Sequence, residues 1–61
     1  MTNIEKAAIA RIFTMNGESF SVDFVDMEVG EVFCMNESTG ENWKLTEEDF
    51  TNAVFFKIVA I

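Results

Sequence analysis

The sequence predicts a mainly β fold: a small five-stranded antiparallel meander with one short helical turn before the last strand. Three observations carry that reading. Proline is absent and glycine occurs only at Gly17, Gly30 and Gly40, each between apolar-rich segments where a turn needs positive φ. The residues flanking the first of these alternate apolar and polar with a period of two. Residues 54–61 are rich in β-branched and aromatic side chains.

Size sets the frame. A chain of 61 residues makes one domain, residues 1–61. A domain this short buries only about 60% of its unfolded surface. Ordering it costs roughly 1.5 kcal/mol per residue, which apolar burial must offset. With 49% hydrophobic residues, seven of them Phe, the chain has the apolar content that a disordered acidic tail lacks. The single cysteine, Cys34, leaves no intramolecular disulfide and no cysteine-based metal cluster within one chain. Small secreted domains usually carry several disulfides, so a reducing, cytoplasmic setting is expected. The N-terminus lacks the basic start and apolar core of a signal peptide. The longest apolar run, residues 53–61, is interrupted by Lys57 and is too short to span a bilayer.

The elements follow from the turns. Thr2 or Asn3 is placed to cap a helix through Ile4, Ala7, Ala8 and Arg11. The first hairpin competes for the same residues. Residues 1–6 are therefore expected as a flexible arm or helical turn, with strand from about Ala7. Asn16-Gly17 is the favoured pair for a two-residue hairpin turn. Taken literally, it pairs Phe13 with Phe20, Arg11 with Val22 and Ile9 with Phe24. That face is apolar apart from Arg11, and the other carries Ala10, Thr14, Ser19, Ser21 and Asp23, with Ile12 the exception.

A second turn centred on Val29-Gly30 sets Met27 opposite Val32 and Phe24 opposite Met35. It also brings Asp26 to the core side opposite Phe33, a conflict that a β-bulge near residues 26–28 would relieve. A third turn through residues 37–40 sets Met35 opposite Trp43 and Phe33 opposite Leu45, which selects the same core face. Thr46 is then a good N-cap, and Glu47, Glu48 and Asp49 suit the first turn of a short helix, with Asp49 at the capping-box position. The last strand presents Val54, Phe56, Ile58 and Ala60 on one face. Phe55, Lys57, Val59 and Ile61 lie on the other, outer face. This order fits a small barrel of Src-homology-type architecture, closed when the last strand pairs with the first. The likeness is one of architecture alone.

Charge is the main functional signal. Eleven acidic residues face four basic ones, a net charge of −7. Phosphate neutralisation needs clustered Lys and Arg, so direct nucleic-acid binding and an anionic membrane surface are both disfavoured. No cofactor motif and no metal-ligand spacing is found. Asp23, Asp26, Glu28 and Glu31 crowd one hairpin but lack the alternating calcium-loop pattern, and read as a solvated acidic rim. Cys34 has no histidine to activate it, and its acidic neighbours raise its pKa, so it reads as a small buried hydrophobe. Trp43 with Phe13, Phe20 and Phe33 reads as core, since a stacking surface for single strands would need a basic groove beside it. An enzyme is disfavoured, and no catalytic residue is nominated.

Two functions remain. The first is a protein-binding or inhibitor protein that occupies a basic surface of a larger partner, in its sharpest form by nucleic-acid mimicry. Its contact residues would be Asp23, Asp26, Glu28, Glu31, Glu37 and Glu41. The alternative is an assembly module that forms a homodimer or docks in a complex through Phe55, Val59 and Ile61 on the last strand.

Overall fold

The computed structural model describes residues 1–56. An N-terminal helix, α1 (Asn3–Ala10), leads into a five-stranded antiparallel sheet. The strands are β1 (Ile12–Met15), β2 (Glu18–Asp26), β3 (Glu31–Asn36), β4 (Asn42–Thr46) and β5 (Val54–Phe55), with a 3-10 turn at Glu47–Asp49. The expected run of the last strand beyond Phe56, with Val59 and Ile61, lies outside the described residues.

The helix reaches further than the one turn expected of residues 1–6. Its start is doubly capped. The Thr2 hydroxyl accepts from the Glu5 amide at 3.1 Å while Glu5 accepts from the Thr2 amide at 2.8 Å, a capping box. Glu47, far along the chain, accepts from the Asn3 and Ile4 amides at 2.8 and 3.0 Å. Ile4, Ala7 and Ala10, three residues apart, form its buried stripe. The helix ends at Arg11, which takes a left-handed conformation at φ 66°. A non-glycine residue there costs about 1–2 kcal/mol. The Arg11 guanidinium offsets part of this by donating to the Val22 carbonyl at 3.2 Å. That single residue turns helix into strand with no linker. Ile9 is therefore helical and exposed, and the expected pairing of Ile9 with Phe24 does not form.

The first hairpin follows the sequence. Phe13 pairs with Phe20 and Met15 with Glu18. Asn16 and Gly17 both have positive φ, 53° and 78°, as a type I′ turn requires. The register extends to Arg11, whose carbonyl accepts from the Val22 amide at 2.8 Å.

The second and third hairpins differ from the expected registers. Residues 27–30 form the second loop, so Phe24 pairs with Phe33 and Asp26 with Glu31. A bulge does occur, at Asp23 rather than near residues 26–28. Asp26 causes the change: its Oδ1 accepts from the Glu28 and Val29 amides, both at 3.1 Å, and its carbonyl accepts from Gly30. In the third hairpin Cys34, not Met35, meets Trp43, and Val32, not Phe33, meets Leu45. A one-residue slip reverses the faces of β3. Val32, Cys34 and Asn36 point inward, while Phe33 stands on the outer face beside Phe24.

The expected barrel is corrected. The strand order is β4-β3-β2-β1-β5, so β5 does pair with β1, but β4 and β5 remain open edges among the described residues. The inner face is covered by α1 and by Phe50 instead of by the sheet's own curl. Phe13 and Phe20 stack at 4.9 Å in the centre, with Trp43 edge-on to Phe20 at 5.1 Å and Phe50 against Phe13 at 5.3 Å. Three of the four rings assigned to the core lie there, and Phe33 does not.

The last strand is also turned over. Phe55 packs inward against Phe13 and Phe50 at 5.5 and 5.8 Å. Val54 and Phe56 take the outer face instead. The reason is the Phe13–Phe55 pairing, which puts Phe55 on the inward side that Phe13 shares.

Candidate functional site

The carboxylates nominated from the sequence fall into two groups at opposite ends of β3. Asp26, Glu28 and Glu31 surround the 27–30 loop, with Asp23 at the bulge. Glu37 and Glu41 flank the 37–40 loop. Five residue steps of β3 separate the two ends, about 17 Å of extended chain.

The first end gathers carboxylates from separate parts of the chain. Asp26, Glu31 and Thr46 lie side by side across β2, β3 and β4. Glu47, Glu48 and Asp49 follow Thr46 directly. Glu47 then caps α1, which brings Glu5 to the same end. Gly30 closes the arrangement, since a Cβ there would sit 3.8 Å from Ile4. Glu5, Glu47, Glu48 and Asp49 thus join Asp26, Glu28 and Glu31 at one acidic end. The sequence placed Glu47, Glu48 and Asp49 only as a helix start. The missing signal was Glu47 capping a helix more than forty residues away, which no local pattern reports.

These acids are not equivalent. Backbone donors hold three of them below the ordinary carboxylate range. The Thr2 amide, and then its hydroxyl, lowers Glu5; the Asn3 and Ile4 amides lower Glu47; the Thr46 amide, and then its hydroxyl, lowers Asp49. Asp26 is engaged in its own turn. Glu31 pairs with Lys44 at 3.4 Å, the one ion pair among the described residues. That pair is more than half exposed on its lysine side and contributes little stability. Asp23, Glu28 and Glu48 are exposed on the surface and make no side-chain hydrogen bond or ion pair among the described residues. At the other end Glu37 is exposed, and Glu41 accepts from the Thr39 hydroxyl at 3.2 Å.

Two further features complete the picture. Cys34 is buried, and burial, aided by the charge of Asp23, pushes its thiol up to about 11. A thiol so poorly ionised is a weak nucleophile. Met1, Lys6, Ile9, Ala10 and Phe55 line an open apolar groove of about 280 Å³ between α1 and β5. That is just below the usual range for ligand pockets. No set of three or more His, Cys, Asp or Glu among the described residues is arranged to hold a metal ion. No helix among them is long and apolar enough to cross a membrane.

Fold and site together define a helix-covered antiparallel sheet with one strongly acidic end. No protein-family model, curated protein or solved structure matches the chain.

Proposed function

We propose that this chain is a small acidic binding protein that occupies a basic surface of a larger partner. In the sharpest form its carboxylates stand in for nucleic-acid phosphates. The observation that carries the reading is the acidic end, where α1, the 27–30 loop and the 3-10 turn converge through the Glu47 cap. Hydrogen bonds keep Glu5, Glu47 and Asp49 ionised and fixed in place, while Asp23, Glu28 and Glu48 remain free to contact a partner. A rigid array of one sign steers encounter with a surface of the other. The groups at the far end, Glu37 and Glu41, would serve as a second, weaker contact.

The test reverses charge only where the fold does not use it. Asp26 shapes a turn and Glu47 caps a helix, so neither belongs in the experiment. The triple variant Asp23→Lys, Glu28→Lys, Glu48→Lys should keep the wild-type circular dichroism spectrum. It should also lose salt-sensitive binding to a basic probe such as oligolysine. Unchanged binding by the folded variant would remove the charge reading.

A second reading rests on β5. Among the described residues it is an open edge, and Val54 and Phe56 are exposed on its outer face. Assembly of two copies through this strand would place Val54 and Phe56 at the contact, in place of Phe55. Light scattering over a concentration series tests it: a dimer that Phe56→Glu dissociates supports assembly, and a monomer at every concentration excludes it.

A further inference from the structure

Among the described residues no helix lies over the outer face of the sheet, yet that face is not wholly polar. Phe24 and Phe33 are exposed there with their rings 6.1 Å apart. Met35 follows Phe33 on the same side of β3, and Ile12 stands across β2 from it, both opposite Ser21. Phe56 extends the row, its amide bonded to the Ile12 carbonyl at 3.1 Å. These apolar side chains come from β3, β2, β1 and the residue after β5, with Ser21 between Met35 and Ile12.

The bulge at Asp23 creates this surface. Up to Val22 the apolar residues of β2 point inward, at Phe20 and Val22. The extra residue shifts the alternation, so Phe24 emerges on the outside, opposite Phe33. Two aromatic residues exposed together by an irregularity are a contact surface more than a folding requirement. They are also the residue types that anchor protein interfaces.

The charge around the row indicates the occupant. Asp26 and Glu31 lie on this face immediately beyond Phe24 and Phe33, and Asp23 sits at the bulge beside them. Lys44 on this face is paired with Glu31, and the Arg11 guanidinium at the bulge is bonded to the Val22 and Asp23 carbonyls. A second copy pairing through Phe24 and Phe33 would bring two such acidic margins together, with each chain at −7. A partner with apolar side chains flanked by Lys and Arg meets both parts of the surface. We propose that the outer face, centred on Phe24 and Phe33, docks an amphipathic basic segment of a protein partner. Asp23, Asp26 and Glu31 would form the charged margin. The inference rests on the acidic-binding reading above and adds to it an apolar anchor.

Two fluorescently labelled probes separate the two ideas: a helical Leu/Lys peptide with one apolar face, and an oligolysine of equal charge. Each is titrated against wild-type protein, the double variant Phe24→Ser, Phe33→Ser, and the Asp23, Glu28, Glu48 reversal, with a thermal melt to show that each is folded. The expected result is that wild type binds the Leu/Lys peptide at least about tenfold more tightly than oligolysine. The serine variant should lose that advantage and keep its oligolysine binding. A tenfold change corresponds to about 1.4 kcal/mol, within reach of two truncated aromatic contacts. Equal binding of both probes, unaffected by the serine variant, overturns the apolar anchor and leaves the charge reading standing. Binding unaffected by the charge reversal overturns the charge reading itself. A homodimer that the serine variant dissociates overturns the proposal by naming a second copy as the occupant. Should the double variant melt below the assay temperature, Phe24→Ser alone is read on the same criteria.

Discussion

The two faces of the sheet are built from the same residue types to opposite ends. Inside, Phe13 and Phe20 stack under α1 with Trp43, Phe50 and Phe55 around them, and almost nothing of Phe13 reaches solvent. Outside, Phe24 and Phe33 make a comparable aromatic pair that stays open to water. Composition does not distinguish the two pairs. What separates them is one inserted residue at Asp23 and a helix that covers a single face. Aromatic content alone therefore says little about where a core lies. Position relative to the bulge and the helix decides it.

The strongest way to break the contrast is to hollow the inner face. Phe13→Ala should cost about 3–5 kcal/mol, the usual range for emptying a buried aromatic site. At roughly 0.05–0.15 kcal/mol per residue, a domain of this length has only about 3–9 kcal/mol to lose. Urea unfolding followed by far-ultraviolet circular dichroism should show a variant largely unfolded without denaturant. A midpoint within a few tenths molar of wild type would mean that Phe13 is not the centre of the core.

Asn36 is the next test, as the polar exception on the inner face. It is fully buried, yet its Oδ1 accepts from the Ser38 and Thr39 amides at 2.8 and 3.2 Å. Its Nδ2 donates to Glu18 at 3.0 Å. Asn36→Ala leaves the Ser38 amide and the Glu18 carboxylate without that partner, while Thr39 keeps its bond to the main-chain carbonyl of residue 36 at 3.3 Å, at a cost of about 1–3 kcal/mol. The loss should appear in hydrogen exchange first at the Ser38 amide. Unchanged protection at Ser38 would refute the assigned role.

The same residue shows how far the sequence could be read. Residues 37–40 were legible as a turn, but its register was not. That register depends on Asn36, whose side-chain Oδ1 accepts from the Ser38 and Thr39 amides at 2.8 and 3.2 Å. Asp26 plays the equivalent part in the 27–30 loop. Both are side chains bonding to backbone, a choice among several that Asn and Asp always have. Asn16-Gly17 has no such freedom. Two residues with positive φ admit one tight turn, and its register came out as expected. The acidic site divides in the same way. Asp23, Asp26, Glu28 and Glu31 are neighbours along the chain and could be grouped by eye. Glu5 and Glu47 meet only because the helix start needs a distant acceptor.

That distant acceptor gives a way to loosen the cover of the inner face without touching the core. The Glu47 carboxyl is held below its ordinary value of 4.5 by amide donors from α1. A depressed folded-state value means that the stabilisation is complete above pH 4.5 and is lost as the pH falls through the folded value. Glu47→Gln should therefore be less stable than wild type at pH 7, and the two should converge on acidification. Thermal melts across pH 2–7 check this. Curves that remain parallel to the lowest pH would show that the Glu47 charge does not hold the helix.

The smallest effect is expected on the outer face, and its smallness is what the comparison requires. Phe24→Ser removes an exposed ring whose main contact is another exposed ring. Cross-strand pairs of this kind contribute roughly 0.2–1 kcal/mol. The denaturation midpoint should move by no more than that, with the slope of the transition unchanged. A loss approaching that of Phe13→Ala would show that Phe24 is buried in solution, and the asymmetry between the faces would disappear. A near-neutral result would instead leave Phe24 and Phe33 as costly exposed surface that folding does not need, which is the condition under which a partner's contact with them adds binding energy.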